Sequence, residues 1–381
     1  MSSYESDANP IKLGYLMDFA LPEEFPEDKR LDLTQSLELV FERGYRDGVI
    51  DRPVEIVYKE VDGLPKGSAK AVIDAYGELV DEGCLAVFGP NITDNAEPTK
   101  VEIERRFEVP ALSVTGSEAW LGPWTFALPM GSLTDEPVFW VEQMLANGHE
   151  TVGALTERSR VGNTYIAGFR EACARAGIRI VSEQLIPQTA QDITDQVTRL
   201  HADQPDAIVH CGFGFGMAMT NMILASLDWD PPRYMSTAFE NAWLNDLLWQ
   251  AMLGWTGCDQ YDEDNPVGQA LLDEFAERYG RRPEYCVPVV NFDAARVFLR
   301  AFADAHPLTP DGVRAALEGV KMIPAASGSP GTFISFGNYM HRGWVGAGYL
   351  VARRLDPDGV HAHRVARFGY PEGGVRTSAR P

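Results

Sequence analysis

Three loops hold the residues whose types and spacing can do chemistry. Asn91, Ile92, Thr93, Asp94 and Asn95 follow the apolar run 84–88, and Thr115, Gly116 and Ser117 follow the run 110–114. Hydroxyls and backbone N–H groups in loops that open helices suit recognition of a polar or anionic group. The same residue types also cap helices, so Thr93, Asn95 and Ser117 carry that local reading as well. The third loop, Gly212-Phe213-Gly214-Phe215-Gly216, follows the run 206–211 and imitates a dinucleotide-binding turn. Its third glycine comes one residue early, and it lies in mid-chain without the unit such a turn opens. Aromatic side chains near these loops could wall an apolar body. They are Trp120, three residues beyond Ser117, Phe19 after the first strand, Phe213, and Tyr285 ahead of a helix beginning near Val289. Ordinary core packing accounts for each of them equally well.

Other constellations fail. There is no nucleophile elbow, phosphate-binding lysine loop or zinc-protease helix motif. His361 and His363 stand in a terminal loop without a Cys, Asp or Glu set around them, so no metal is expected. Paired acids such as Glu23 and Glu24 read as solvated faces. The pattern points to binding, with no catalytic residue, metal or cofactor.

Such loops converge only if parallel strands position them. Ile11–Met17 reads as a strand, followed by Leu33, Leu37, Val40 and Phe41 at helical spacing and by a second strand at 54–58. Ser68 caps a helix with Val72, Tyr76 and Leu79 on its apolar face, which Gly83 stops, and strands follow at 84–88 and 110–114. The rhythm restarts with strands at 151–155, 178–185, 206–211 and 233–237, separated by helical periods at 165–176, 193–202 and 217–227. Strands that are apolar throughout and separated by crossover helices imply parallel sheets covered on both faces. The fold class is therefore α/β, with two doubly wound lobes. The last third adds helices at 267–279, 289–305 and 310–320, strands at 333–336 and 344–352, and a loose tail at 376–381.

A chain of 381 residues exceeds what one core usually organises, which agrees with two lobes. With Lys+Arg 33 against Asp+Glu 55 the formal charge is −22, so nucleic acid is not expected as a partner. No apolar run approaches the roughly 18 residues of a membrane span, so no membrane insertion is expected. The first ten residues are polar and acidic and lack the pattern of a secretion signal. Five cysteines, odd in number and widely spaced, fit a reduced compartment. Together these predict a cytoplasmic protein. An export signal missing from the sequence would place it in the periplasm or outside the cell.

The order of elements and several strings resemble the type I periplasmic binding proteins, in their branched-chain amino-acid (Leu/Ile/Val) branch. The strings are Leu13-Gly14-Tyr15-Leu16, the run from Cys84 to Pro90, and Val109-Pro110-Ala111-Leu112-Ser113-Val114-Thr115-Gly116-Ser117. Asp206-Ala207-Ile208-Val209-His210, Asn291-Phe292-Asp293-Ala294-Ala295 and the run from Gly331 to Gly337 follow in the same order. The resemblance implies two lobes joined by three crossovers, 11–130 with 258–333 and 131–257 with 334–381, and hinge closure on a ligand in the cleft between them. It implies an ABC-type permease as partner, although some relatives work in the cytoplasm as ligand sensors. It also implies that the loops at Thr93, Asp94, Thr115, Gly116 and Ser117 hold a ligand carboxylate, with an aromatic such as Phe213 facing the ligand.

Two departures bear on the ligand. Where amino-acid binders of this branch place an acid for the ligand's ammonium, this chain has Ala238, with Glu240 two residues later. Where they place an aromatic before a glycine, it has Val161, with Arg160 adjacent; Arg160 is either a second-lobe anion clamp or a solvated loop charge. The expected ligand is a largely apolar or aromatic carboxylate or amide rather than a free amino acid. An enzyme at the switch point of a doubly wound fold has only the glycine loop in its favour.

Overall fold

Strands that are apolar on both faces must be covered on both faces, and crossover helices supply the cover. The computed structural model describes residues 9–369 apart from 22, 24, 190, 191 and 360. The expected tail at 376–381, the first eight residues and Glu24 lie outside the described residues. The chain divides into one unit of Met1–Met130 with Asp264–Gly346 and another of Gly131–Glu263 with Ala347–Pro381.

In the first unit five parallel strands lie in the order Val54–Glu60, Ile11–Met17, Ala86–Phe88, Ala111–Ser113, Thr125–Ala127. The winding reverses between Ile11–Met17 and Ala86–Phe88. Leu16, Val87 and Ala111 share a core with Val72, Tyr76 and Leu79 of the helix Ala69–Asp81. Ser68 caps that helix by accepting the Ala71 N–H at 3.2 Å. The later helix Cys286–Asp304 is fastened to Glu27–Arg46: Tyr285 donates to Asp32 at 2.9 Å, and Asn291 donates to the Leu33 carbonyl at 3.0 Å. A small antiparallel sheet of Ile323–Pro324, Phe333–Ile334 and Trp344–Val345 completes the unit.

The second unit has seven strands in the order Ala362–Arg367, Val351–Leu355, Trp255–Asp259, Arg233–Met235, Ala207–Cys211, Thr151–Glu157, Arg179–Ile186. Val351–Leu355 runs antiparallel to both its neighbours, and the remaining pairs are parallel. Here the winding reverses between Thr151–Glu157 and Ala207–Cys211.

The two later boundaries differ from those read in the sequence, falling after Glu263 and Gly346 rather than at 257/258 and 333/334. Trp255–Asp259 is a central strand of the second sheet, so the chain leaves that unit only after it. The expected strand at 344–352 is two strands, one in each unit, broken at Gly346, whose φ of +78° is left-handed and suits glycine. His363 lies on the edge strand Ala362–Arg367 and not in a loop. The fifth strand of the first sheet, Thr125–Ala127, was not anticipated; three residues are too few to show a period. No helix among the described residues is long and apolar enough to cross a membrane.

Candidate functional site

In the first unit the loops after Ala86–Phe88 and Ala111–Ser113 bring three buried hydroxyls together. Thr93 and Thr115 place their Oγ1 atoms 2.7 Å apart, and the Ser117 hydroxyl donates to Glu97 Oε1 at 2.7 Å. Ser117 also accepts the Ala119 N–H at 3.2 Å, so the capping role applies there. It fails at the other two positions. The helix Thr93–Glu102 has Ile92 as its N-cap without a side-chain bond, and the Asn95 amide turns to Asp18. Asp94 is buried in that helix's first turn. At the winding reversal Asp18 is fully buried and accepts the Asn91 N–H at 2.8 Å, the Ile92 N–H at 3.0 Å and Asn95 Nδ2 at 3.0 Å. Burial pushes its carboxyl up to about 6 against the pull of these donors.

The second unit repeats the arrangement. Glu157, the last residue of Thr151–Glu157, is fully buried and accepts the Phe213 N–H at 2.7 Å and the Gly214 N–H at 2.8 Å. Its carboxylate occupies the turn where a dinucleotide phosphate would sit, and a Cβ at Gly212 would come within 2.3 Å of its Cδ. Phe213 is half-buried, its carbonyl held by Asn241 Nδ2 at 2.6 Å. One strand over, Glu136 accepts the Thr237 N–H at 2.9 Å and the hydroxyls of Thr237 and Tyr165. Complete burial pushes it up to about 7. Each unit thus presents polar groups at the carboxyl ends of its parallel strands, where open α/β sheets take ligands.

A family model described as periplasmic binding protein matches residues 29–347. The chain belongs to that family. Members of the periplasmic binding protein family hold substrates and do not transform them, so the enzyme reading falls away. No curated protein sequence matches this periplasmic binding protein. Among solved structures, a type 1 periplasmic binding protein from Bordetella pertussis Tohama I is 20% identical, with a TM-score of 0.77 over 94% of this chain and 100% of that one. A leucine binding protein from Thermotoga maritima MSB8 is 15% identical, with a TM-score of 0.75 over 93% and 98%. A branched-chain amino acid transporter substrate binding protein from Streptococcus pneumoniae, in complex with isoleucine, is 15% identical, with a TM-score of 0.75 over 94% and 100%. At these identities the likeness speaks for the fold alone.

Within this periplasmic binding protein the expected site residues divide. Thr93 and Asp94, in the first turn of their helix, lie beside the loop of Thr115, Gly116 and Ser117 in one unit, and Phe19 follows Asp18 at the winding reversal, half-buried. Tyr285 opens the helix Cys286–Asp304, whose first turns pack beside Val114, and it gives its hydroxyl to Asp32. Trp120 is a correction. Its side chain is fully buried in the core with Leu16, Val72 and Ile103, and its indole N–H donates to the Phe126 carbonyl at 2.8 Å. The short helical turn Glu118–Trp120 carries it under the sheet instead of along the loop. In the second unit Arg160 is exposed at the start of the helix Arg160–Ala176, and Glu240 is half-buried in the turn Thr237–Leu244. His361 and His363 each meet an acid of their own hairpin, Asp358 and Asp356.

Sequence reasoning missed Asp18, Glu157 and Glu136. The first two carried a usable signal, an acid at the very end of an apolar strand. Glu136 carried none, since an acid in the first turn of a helix (here Asp135–Ala146) has a sufficient local reason.

Proposed function

We propose that this periplasmic binding protein captures a small organic solute between its two units and delivers it to an ABC-type permease. The reading rests on the family match over 29–347; the buried hydroxyls of Thr93, Thr115 and Ser117 at the strand ends support its site. Ligand contact from the second unit falls to Phe213, with Arg160 and Glu240 at the neighbouring strand ends. The solute has an apolar or aromatic body and one polar end, and free amino acids belong on the test panel because similar folds carry leucine and isoleucine. A thermal-shift screen over amino acids, aromatic and branched acids, their amides and amines tests this. A ligand at a hundred times its Kd stabilises the folded state by about 2.7 kcal/mol, and a flat response across the whole panel would count against solute capture.

Five buried cysteines, odd in number, favour a second reading, ligand sensing in a reducing compartment on the same fold. Fractionation of cells carrying the tagged full-length protein separates the two, since only the transport reading puts the protein outside the cytoplasm.

A further inference from the structure

We propose that the first unit carries a second binding site, for an aliphatic monocarboxylate, in a cavity between the helices Glu27–Arg46, Pro266–Tyr279 and Cys286–Asp304. The cavity uses none of the strand-end residues, so this site and solute capture can fail independently.

The cavity encloses about 290 Å³. At roughly 30 Å³ per heavy atom, the share of a water molecule in its liquid, that is room for about ten atoms, the size of octanoate. Its base is apolar. Leu39, Val40 and Leu271 are buried there, and Leu299 and Ile323 line it half-buried. Gly44 also lines it, inside a helix, where glycine weakens the helix. A Cβ on Gly44 would come within 2.5 Å of Leu299 Cδ1, so glycine lets the helix close up on Leu299.

The charged lining runs against the chain's overall excess of acids, 55 to 33. Arg43, Arg296 and Arg300 line the cavity against Asp47 and Glu274. Both of those acids are engaged on Arg43, Glu274 at 3.0 Å and Asp47 at 3.8 Å. Arg296 is spent on the buried Asp293 at 3.2 Å and the Pro324 carbonyl at 2.6 Å. Arg300 gives the protein only its Nε, to Asp304 at 2.6 Å, and Arg43 keeps its second Nη. A guanidinium is a planar fork of N–H donors that matches a carboxylate. Two arginines with donors to spare, both exposed, thus stand beside an apolar base. A carboxylate would stay at the solvent side while its chain fills the base, which is how ligand cavities divide polar from apolar work.

Calorimetry on the full chain with butanoate, hexanoate, octanoate and decanoate reads the size of the base. Affinity should rise about two- to fourfold per methylene up to octanoate and then level off. Octanoate should bind at least about fivefold more tightly than octylamine or 1-octanol. Arg300→Glu, an exposed change, should weaken octanoate by at least about fivefold and leave octylamine no weaker. Leu299→Trp fills the cavity and should abolish octanoate binding, with an unchanged melting temperature showing that the variant folds. Ser117→Ala should leave this binding as it is. Octanoate that binds folded Arg300→Glu as it binds the parent overturns the proposal, whatever Leu299→Trp does. So does binding that Ser117→Ala weakens and Arg300→Glu does not, which would assign octanoate to the strand ends. An amine or alcohol that matches octanoate, or no binding at millimolar octanoate, overturns it as well.

Discussion

Glu136 holds a carboxyl group wholly out of water against Thr237 and Tyr165, and burial raises it to about 7 from an ordinary 4.5. Because the folded value is the higher one, its contribution to stability is complete below about pH 4.5 and is lost as the pH rises through 7. Glu136→Gln keeps an acceptor for Thr237 and cannot ionise. Its melting temperature should exceed the parent's at pH 8, by the equivalent of about 3 kcal/mol at most, and match it near pH 4.5. A parallel pH dependence in both proteins would remove the argument. At Ser117 the expectation concerns binding. Ser117→Ala deletes an acceptor and leaves Glu97 without its donor, so affinity for a cognate ligand should fall by about 1 kcal/mol or more, read by calorimetry. The loops holding Thr93, Thr115 and Ser117 were legible in the sequence because each follows an apolar strand directly. What Ser117 does with its hydrogen was not legible, since that depends on Glu97, twenty residues away along the chain and on another element. Trp120 misled for the opposite reason: adjacency to a loop does not fix which side of the sheet a short helical turn faces.

Among the elements, parallel strands such as Ile11–Met17 and Ala207–Cys211 were legible because continuous apolar runs are what a doubly covered sheet requires. The antiparallel pair Val351–Leu355 and Ala362–Arg367 was not, since arginines in both strands read as surface. Arg353 is in fact buried. It reaches Glu263 at 2.8 Å, the Ala362 carbonyl at 2.5 Å and Asp259 at 3.4 Å, and lies over the Tyr261 ring at 4.6 Å. This one side chain ties both late strands to the central strand Trp255–Asp259. Arg353→Met should cost about 3–5 kcal/mol, because it leaves the buried Asp259 without its cation. The midpoint of urea unfolding measures this, and Arg353→Met combined with Asp259→Asn should recover part of the loss. A single variant as stable as the parent would show that the pair holds nothing together.

On the scale of the whole molecule, the chain passes from one unit to the other three times, after Met130, Glu263 and Gly346. Units joined by several short connections move as rigid bodies about them, so capture of a tight ligand should change the small-angle scattering profile. Superimposable profiles with and without saturating ligand would contradict closure. The two units also share a habit. In each, an acid at the end of the strand before the winding reversal, Asp18 or Glu157, takes two consecutive N–H groups of the loop that follows the neighbouring strand. Inorganic phosphate, sulfate and nucleotide phosphates commonly lodge where free amides gather in this way. Here they meet a seat already taken, with a carboxyl group in it, in both halves of the protein. Phosphate buffer should therefore leave the melting temperature no higher than an uncharged buffer of equal ionic strength, and ligand screens can be run in it without the buffer posing as a ligand.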